Sequence, residues 1–170
     1  MMPLPIVEQL RFARSEFQRS LAGITNEEAC KRFLPMNSIS WMIGHMAWQE
    51  QRYFVTLGQG KVVVPRVNEL TANGQPASTP PLADMWADWE EVTRTGDSFL
   101  DSLTSDRLTE HFMMNGKQVP ENIGTRILRT TYHYWFHNGE AQAVRQLLGH
   151  SDLPEFVGDI GGEAPYRPAV

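Results

Sequence analysis

The chain has 170 residues, of which 41% are hydrophobic and 21% are charged, and its formal net charge is -5. This length suits one domain that buries about 70% of the surface its unfolded form would expose, so folding requires no disulfide. The acidic balance and the absence of a basic run argue against nucleic acid as the main partner, because phosphate binding requires clustered Lys and Arg. We therefore expect one domain over residues 1–170, with an irregular tail from about residue 151.

The N-terminal segment, Met1 to Pro5, lacks the basic start and the apolar core of a signal peptide. No apolar stretch approaches the length of about 20 residues that a membrane-spanning helix requires. The single cysteine, Cys30, excludes an internal disulfide and is typical of a protein from a reducing cytosol. The sequence thus predicts a cytoplasmic protein without a membrane partner.

Apolar residues recur at steps of three and four in the first part of the chain, which is the period of a helix. The pattern predicts a first long helix over residues 5–22, with Pro5 tolerated in its first turn. The capping-box sequence Thr-Asn-Glu-Glu at residues 25–28 predicts a short helix that runs to Phe33.

A second long helix is predicted over residues 38–57, opened by Ser38 as the N-cap and closed by Gly58. Its residues 39–48 carry no full charge, so we expect this helix in the middle of the fold. Residues 59–78 contain Val-Val-Val-Pro and Asn-Gly-Gln-Pro sequences, which predict a long crossing loop with a brief extended piece.

The second half of the chain carries two further helical patterns. A third helix follows Thr79-Pro80-Pro81, and its apolar stripe extends to residue 103. Asn115-Gly116 predicts a turn or hairpin. A fourth long helix is predicted from Pro120 to residue 148, with Gly149 as its stop. Four long helices, with a long link between the second and third, indicate an all-α four-helix bundle with crossover connections and short extra helix and loop segments.

Two histidines, His133 and His137, stand four residues apart in the fourth predicted helix. Residues at i and i+4 share one helical face with Cβ atoms about 5–6 Å apart, so both imidazoles can reach one cation. At about 100° per residue, both lie on a row that points toward the bundle interior, where bundles build cofactor and metal sites. The alternative is a pair of core histidines whose hydrogen bonds are satisfied without a metal.

A third histidine, His45, stands alone on the uncharged part of the second predicted helix. Burial of three imidazoles without a common partner is costly, so we expect a three-histidine metal centre if the two helices face each other. Gln49 follows His45 by one turn and has two interpretations, a hydrogen bond to a ligand or to a metal-bound water at this centre, or a plain position on the helix surface.

Three sequences follow one another along the chain: Ser-Ile-Ser-Trp-Met-Ile-Gly-His at residues 38–45, His133-x3-His137-Asn-Gly-Glu-Ala-Gln, and the tail sequence Leu153-Pro154-Glu155-Phe156. In this combination the chain resembles the DinB-like superfamily of metal-dependent helical bundles. The resemblance covers nearly the whole chain and implies that His45, His133 and His137 bind a divalent metal ion. Relatives of this type include S-transferases and isomerases that use mycothiol or bacillithiol, so the resemblance also implies a low-molecular-weight thiol as a cosubstrate.

The chain departs from the family pattern after His137. Members often carry His-Arg-Gly-Gln where this chain has His137-Asn138-Gly139-Glu140. Glu140 lies on the same helical row as the two histidines and has three active interpretations: a fourth ligand, a partner that orients an imidazole, or a catalytic general base for a metal-bound water. The passive alternative is a solvated carboxylate at the rim of the bundle.

Three protein ligands leave a coordination position open, as in catalytic rather than structural zinc sites. Imidazoles suit several metals; we expect zinc or nickel, with iron as the next choice. The leading hypothesis is a metal-dependent transferase or hydrolase that acts on a small molecule, with thiol S-transfer favoured. The alternatives are a non-catalytic metal- or ligand-binding protein, such as a dimeric stress-associated protein, and a purely structural bundle. In each case we expect a homodimer.

Overall fold

The computed structural model describes residues 3–155 and 157–168, and it confirms an all-α bundle with a small two-stranded sheet. In chain order the helices and strands are α1 (Pro5–Ser20), α2 (Asn26–Cys30), α3 (Ile39–Glu50), α4 (Arg66–Leu70), α5 (Leu82–Leu100), β1 (His111–Met114), β2 (Lys117–Asn122), α6 (Ile123–Leu147) and α7 (Ile160–Glu163). A π-helix (Gln51–Leu57) continues α3, and a 3-10 turn (Asp106–Thr109) precedes β1.

The four long helices α1, α3, α5 and α6 form the bundle. Helix α1 packs on α6, and α3 contacts both α5 and α6. Ile39, Met42, Ile43 and Met46 of α3 are fully buried, which confirms the central position expected from its lack of charge. A histidine on α3 can therefore reach side chains of α6.

The predicted caps at the start of α2 and α3 are present. Thr25 and Glu28 form the capping box, in which the Thr25 N–H donates to the Glu28 carboxylate at 2.8 Å. The Ser38 hydroxyl accepts from the backbone N–H of Trp41 at 3.2 Å. Helix α2 ends at Cys30, so the expectation that it runs to Phe33 is wrong by one turn.

The second predicted helix changes its hydrogen-bonding pattern after Glu50. The buried Gln51 side chain donates to the carbonyl of Val64 at 2.9 Å and accepts from the N–H groups of Val63 and Val64 at 3.0 and 2.7 Å. The Gln51 amide thereby takes the place of a strand partner, and the expected extended piece is not a strand among the described residues. The predicted loop instead contains α4.

Asn115 and Gly116 form the predicted hairpin turn, with φ values of 51° and 74°. The hairpin also corrects the expected start of the fourth long helix. Pro120 lies inside β2, and α6 begins at Ile123, where the Asn122 side chain accepts from the N–H of Thr125 at 2.8 Å. Residues 120–122, which the sequence pattern assigned to the helix, belong to β2. At its other end, α6 stops before Gly149, which has a φ of 90°.

The C-terminal tail is irregular as expected, apart from the four-residue α7. It is attached to α1, because the Gln9 amide donates to the Ala164 carbonyl and the Gly158 N–H donates to the Glu16 carboxylate. Phe156, part of the tail sequence that resembles the family, and the N-terminal residues Met1 and Met2 lie outside the described residues. Among those described, every helix is too short or too polar to cross a membrane.

Candidate metal centre

The structure brings His45, His133 and His137 together. One ring nitrogen from each lies within 4.8 Å of the other two. The ring centroids of His133 and His137 are 4.5 Å apart, as their i,i+4 spacing on α6 predicts, and the ring of His45 on α3 lies 5.1 Å from His133 and 5.3 Å from His137. The prediction that the two helices present these side chains to one point is confirmed.

Each imidazole is held at Nδ1 by a different oxygen. His45 Nδ1 lies 2.7 Å from the backbone carbonyl of Thr71, and His133 Nδ1 lies 2.8 Å from Gln49 Oε1. His137 Nδ1 lies 2.8 Å from Glu140 Oε2. A carbonyl, an amide oxygen and a carboxylate can only accept, so each Nδ1 carries the proton and each Nε2 presents a lone pair.

None of these three lone pairs accepts a hydrogen bond from a donor among the described residues. His137 Nε2 is buried and has no hydrogen-bond partner among the described residues. A buried acceptor without a partner is costly, and three neighbouring acceptors repel one another. A cation satisfies all three nitrogens at once, so the residues present fit a divalent metal ion.

Burial keeps two of the rings neutral. It lowers the pKa of His45 to about 4, against the opposing effect of the Thr71 carbonyl. It also lowers the pKa of His133 to about 3, and the neighbouring His137 and His45 act in the same direction. Since metal binding requires the neutral imidazole, these two ligands need not lose a proton at neutral pH.

Two tryptophans of α3 enclose His45. The ring of Trp41 is stacked on it at 4.4 Å with an interplanar angle of 13°, and Trp48 lies on the other side at 5.1 Å. His45 is 5% exposed and His137 is 4% exposed, whereas His133 is half-buried. The faces of the His45 ring are therefore covered by indole rings, and the cluster is most exposed at His133.

Gly44 explains how the Thr71 carbonyl reaches the buried ring of His45. A Cβ at position 44 would lie 2.5 Å from Met85 Sδ and 2.7 Å from Thr71 Cγ2, closer than real Cβ contacts. A side chain at this position would push α3 away from both α5 and the end of α4. The glycine before His45 thus permits the approach on which the Nδ1 hydrogen bond depends.

The structure gives Gln49 and Glu140 definite contacts. Gln49 is buried, so its placement on the helix surface is wrong, and its Oε1 accepts from His133, which agrees with the interpretation of a hydrogen bond to a ligand at the centre. Glu140 is half-buried and contacts His137 Nδ1, the geometry of a residue that orients an imidazole. The carboxylate is therefore neither solvated at the rim nor free of the cluster.

Two clefts open beside His133. One, of about 460 Å³, is lined by His45, Trp48, Gln49 and His133 together with residues of the π-helix and of β2. The other, of about 520 Å³, is lined by His133, Gln49 and the exposed side of α6, including Leu128 and Tyr132. A small molecule can therefore approach the cluster from the side that Trp41 does not cover.

A buried polar network beneath the cluster was missed in the sequence. Glu50 Oε1 accepts from Arg14 Nε at 2.7 Å and from the Tyr134 hydroxyl at 2.6 Å, and the Trp89 indole N–H donates to Tyr134 at 2.7 Å. Burial opposes the charge of Arg14, yet the Glu50 carboxylate raises its pKa further above the usual value. The available signal was Arg14 itself, a charge one turn after Leu10 on the apolar stripe of α1.

Comparison with known proteins places the chain among related bundles. The family model for mycothiol-S-transferase matches residues 6–149 and confirms the DinB-like resemblance. No curated protein sequence matches the chain. A crystal structure described as the conserved protein of locus from Enterococcus faecalis has a similar fold, with a TM-score of 0.64 and 16% identity over 88% of this chain and 100% of that one. At this identity the likeness shows the fold alone.

Proposed function

Because the chain belongs to the mycothiol-S-transferase family, we propose that it is a metal-dependent enzyme that transfers a low-molecular-weight thiol to an electrophilic small molecule. His45, His133 and His137 are the proposed metal ligands. The observation that carries the proposal is that one ring nitrogen of each histidine lies within 4.8 Å of the other two, while each Nδ1 contacts an accepting oxygen, which leaves Nε2 free for a metal.

A bound divalent ion supplies Lewis acidity that lowers the pKa of a thiol and favours the nucleophilic thiolate. The chain's own residues prepare the site for this chemistry. The Thr71 carbonyl, Gln49 and Glu140 hold the three rings in one tautomer and one orientation. Trp41 and Trp48 exclude water from the faces of His45.

The clefts beside His133 support turnover rather than a closed binding site. A structural metal site is enclosed by its ligands, whereas a catalytic one keeps access for a reactant. Here His133 forms part of both cleft walls. In the proposed reaction the thiol gives up its proton to water, its sulfur bonds to an electrophilic carbon, and the electron pair of the broken bond leaves with the substrate's leaving group.

Metal content tests the proposed ligands. We expect about one divalent ion per chain in protein purified without a polyhistidine tag, and loss of that ion in His137→Ala. His111→Ala is the matched control, because His111 lies on β1 with its Nδ1 2.8 Å from the Val119 carbonyl, outside the cluster. Metal retained by His137→Ala, or absent from wild-type protein grown in metal-replete medium, would contradict the triad.

A cobalt-substituted sample distinguishes the transferase from a binder. We expect its visible spectrum to change when a biological thiol is added, and the same sample to conjugate that thiol to an electrophile such as monochlorobimane. A spectrum that no thiol changes would count against S-transfer and favour the non-catalytic alternative. The expected choice of zinc or nickel over iron, the homodimer and the cytoplasmic location stay predictions.

A further inference from the structure

The cleft beside His45 and His133 has basic walls, although the chain as a whole has a net charge of -5. Arg52, Arg126 and Arg129 line it, and Glu121 is the acidic residue among its lining. An adjoining cleft of about 440 Å³ shares Arg52 and Arg126 with it and adds Lys117, without an acidic residue among its described lining. Positive charge therefore extends from the histidine cluster to the hairpin.

One carboxylate serves two of these arginines. Arg129 Nε lies 2.9 and 3.0 Å from the two oxygens of Glu121, which form a bidentate pair with it. Arg126 Nε lies 3.0 Å from Glu121 but makes no hydrogen bond, and its guanidinium lies over the Tyr53 ring at 4.5 Å. Because Glu121 is hydrogen-bonded to Arg129, the guanidinium of Arg126 keeps N–H groups that can donate to a ligand.

Arg52 has no ion-pair partner within the described part of the chain. It is exposed at the wall between the two clefts, and its guanidinium lies 5.7 Å from the Trp48 ring and 5.9 Å from the Tyr53 ring. Aromatic rings restrict a guanidinium while leaving its N–H edge free to bind an acceptor. Trp48 also stacks on His45, so the Arg52 guanidinium lies near the histidine cluster, with Trp48 between them.

The π-helix holds Arg52 at this place. Gln51, the preceding residue, is 1% exposed and fastened by three hydrogen bonds to the backbone of Val63 and Val64. The widened turn begins at this residue, and single π-turns of this kind are frequent at functional sites. The backbone that carries Arg52 is therefore anchored at the wall of the two clefts.

We propose that this basic cleft binds a carboxylate of one of the two reactants, with Arg52 as the principal contact and Arg126 as the second. The inference rests on the proposed function, because it assigns a substrate class to the cleft beside the histidines. The planar guanidinium matches the two oxygens of a carboxylate, and an arginine without a protein partner loses no existing ion pair when a ligand arrives.

Matched pairs of charged and neutral probes test the proposal by equilibrium binding, measured by calorimetry on metal-loaded and metal-free protein. The thiol arm compares 3-mercaptopropionate with 3-mercaptopropionamide, and the electrophile arm compares 4-chloro-3-nitrobenzoate with its amide. We expect wild-type protein to bind the carboxylate of at least one pair about tenfold more tightly than the amide. Arg52→Gln should lose this preference.

Arg107→Gln is the matched control, because Arg107 also lies over an aromatic ring, 5.5 Å from the centroid of Phe99, but outside both clefts. It should keep the preference. The arm that shows the effect identifies the reactant that carries the carboxylate. Equal binding of both members of both pairs, or a preference unchanged in Arg52→Gln, would overturn the subsite. An Arg52-dependent preference in a protein that binds no metal would support the subsite and overturn the proposed function alone.

Discussion

His45, His133 and His137 are kept in one tautomer by three oxygens of different origin. Their spacing predicted the pair on α6, while the addition of His45 depended on the two helices facing each other and on the DinB-like resemblance. The three oxygens were harder to predict than the three histidines. Thr71 contributes a backbone carbonyl, which leaves no trace in its residue type, and Gln49 contacts a histidine 84 positions away. Gln49 was proposed from the sequence as a partner of a ligand, but which ligand it contacts could not be read there, whereas Glu140 stood in the same helical row as its histidine.

Removal of the Glu140 carboxylate should weaken the metal site without abolishing it. Loss of such a partner typically lowers metal affinity about 10–100-fold, so we expect Glu140→Ala to show a drop of this size in competition with a chromophoric chelator. Glu140→Gln keeps an accepting oxygen 2.8 Å from His137 Nδ1 if its geometry is preserved, and should fall between wild type and Glu140→Ala.

The exposed Glu90 on α5 provides the control, and Glu90→Ala should bind metal like the wild type. If Glu140→Ala lost its metal as completely as His137→Ala, the carboxylate would be a ligand and not an orienting partner. If its affinity were unchanged, Glu140 would have no part in the site.

The four long helices follow the hydrophobic period, and their boundaries differ from prediction where a contact distant in sequence decides the backbone. Pro120 suggested a helix start, but pairing with β1 draws residues up to Asn122 into a strand. The π-helix was equally hidden, since the hydrogen bonds of Gln51 run to a loop 12 and 13 residues further on. Local sequence predicts the helix, but the contact between Gln51 and the loop forms only when the chain folds and therefore cannot be predicted from local sequence.

Gly44 should tolerate no side chain, because helix α3 approaches its neighbours too closely there. We expect Gly44→Ala to lower the free energy of unfolding by about 1–3 kcal/mol, the usual effect of overpacking a core. It should also lower metal affinity, because the displaced Thr71 carbonyl would no longer hold His45 Nδ1. Urea unfolding and a metal titration of the same variant measure the two effects.

Gly139→Ala is the matched control within α6, since a Cβ at position 139 meets no atom within 4 Å. The substitution should raise the free energy of unfolding by about 0.5–1 kcal/mol, because alanine favours the helix more than glycine does. Equal effects of the two substitutions would mean that the close contact at Gly44 does not constrain the packing of α3.

All four long helices meet in the polar network centred on Glu50. Arg14 comes from α1, Glu50 from α3, Trp89 from α5 and Tyr134 from α6. Glu50 follows Gln49, and Tyr134 follows His133, so the network lies directly next to residues of the histidine cluster and its partners. The hydrophobic pattern predicts that the four helices form a bundle, but it does not specify which polar groups pair inside. The sequence shows a charge on an apolar stripe, as at Arg14, but it does not show the partner of that charge in the fold.

Removing the charge of Arg14 alone should lower the free energy of unfolding more than removing the charges of Arg14 and Glu50 together. Arg14 and Glu50 side chains are 6% and 0% exposed, so Arg14→Met leaves a buried carboxylate unpaired and should cost about 3–5 kcal/mol of the free energy of unfolding. Adding Glu50→Gln removes the charge and keeps an acceptor for Tyr134, and the double variant should recover a large part of the loss. Urea unfolding of both variants gives the comparison, with the exposed Arg94→Met as a control within about 0.5 kcal/mol of wild type. A double variant no more stable than Arg14→Met would show that Arg14 acts through packing and not through its charge on Glu50.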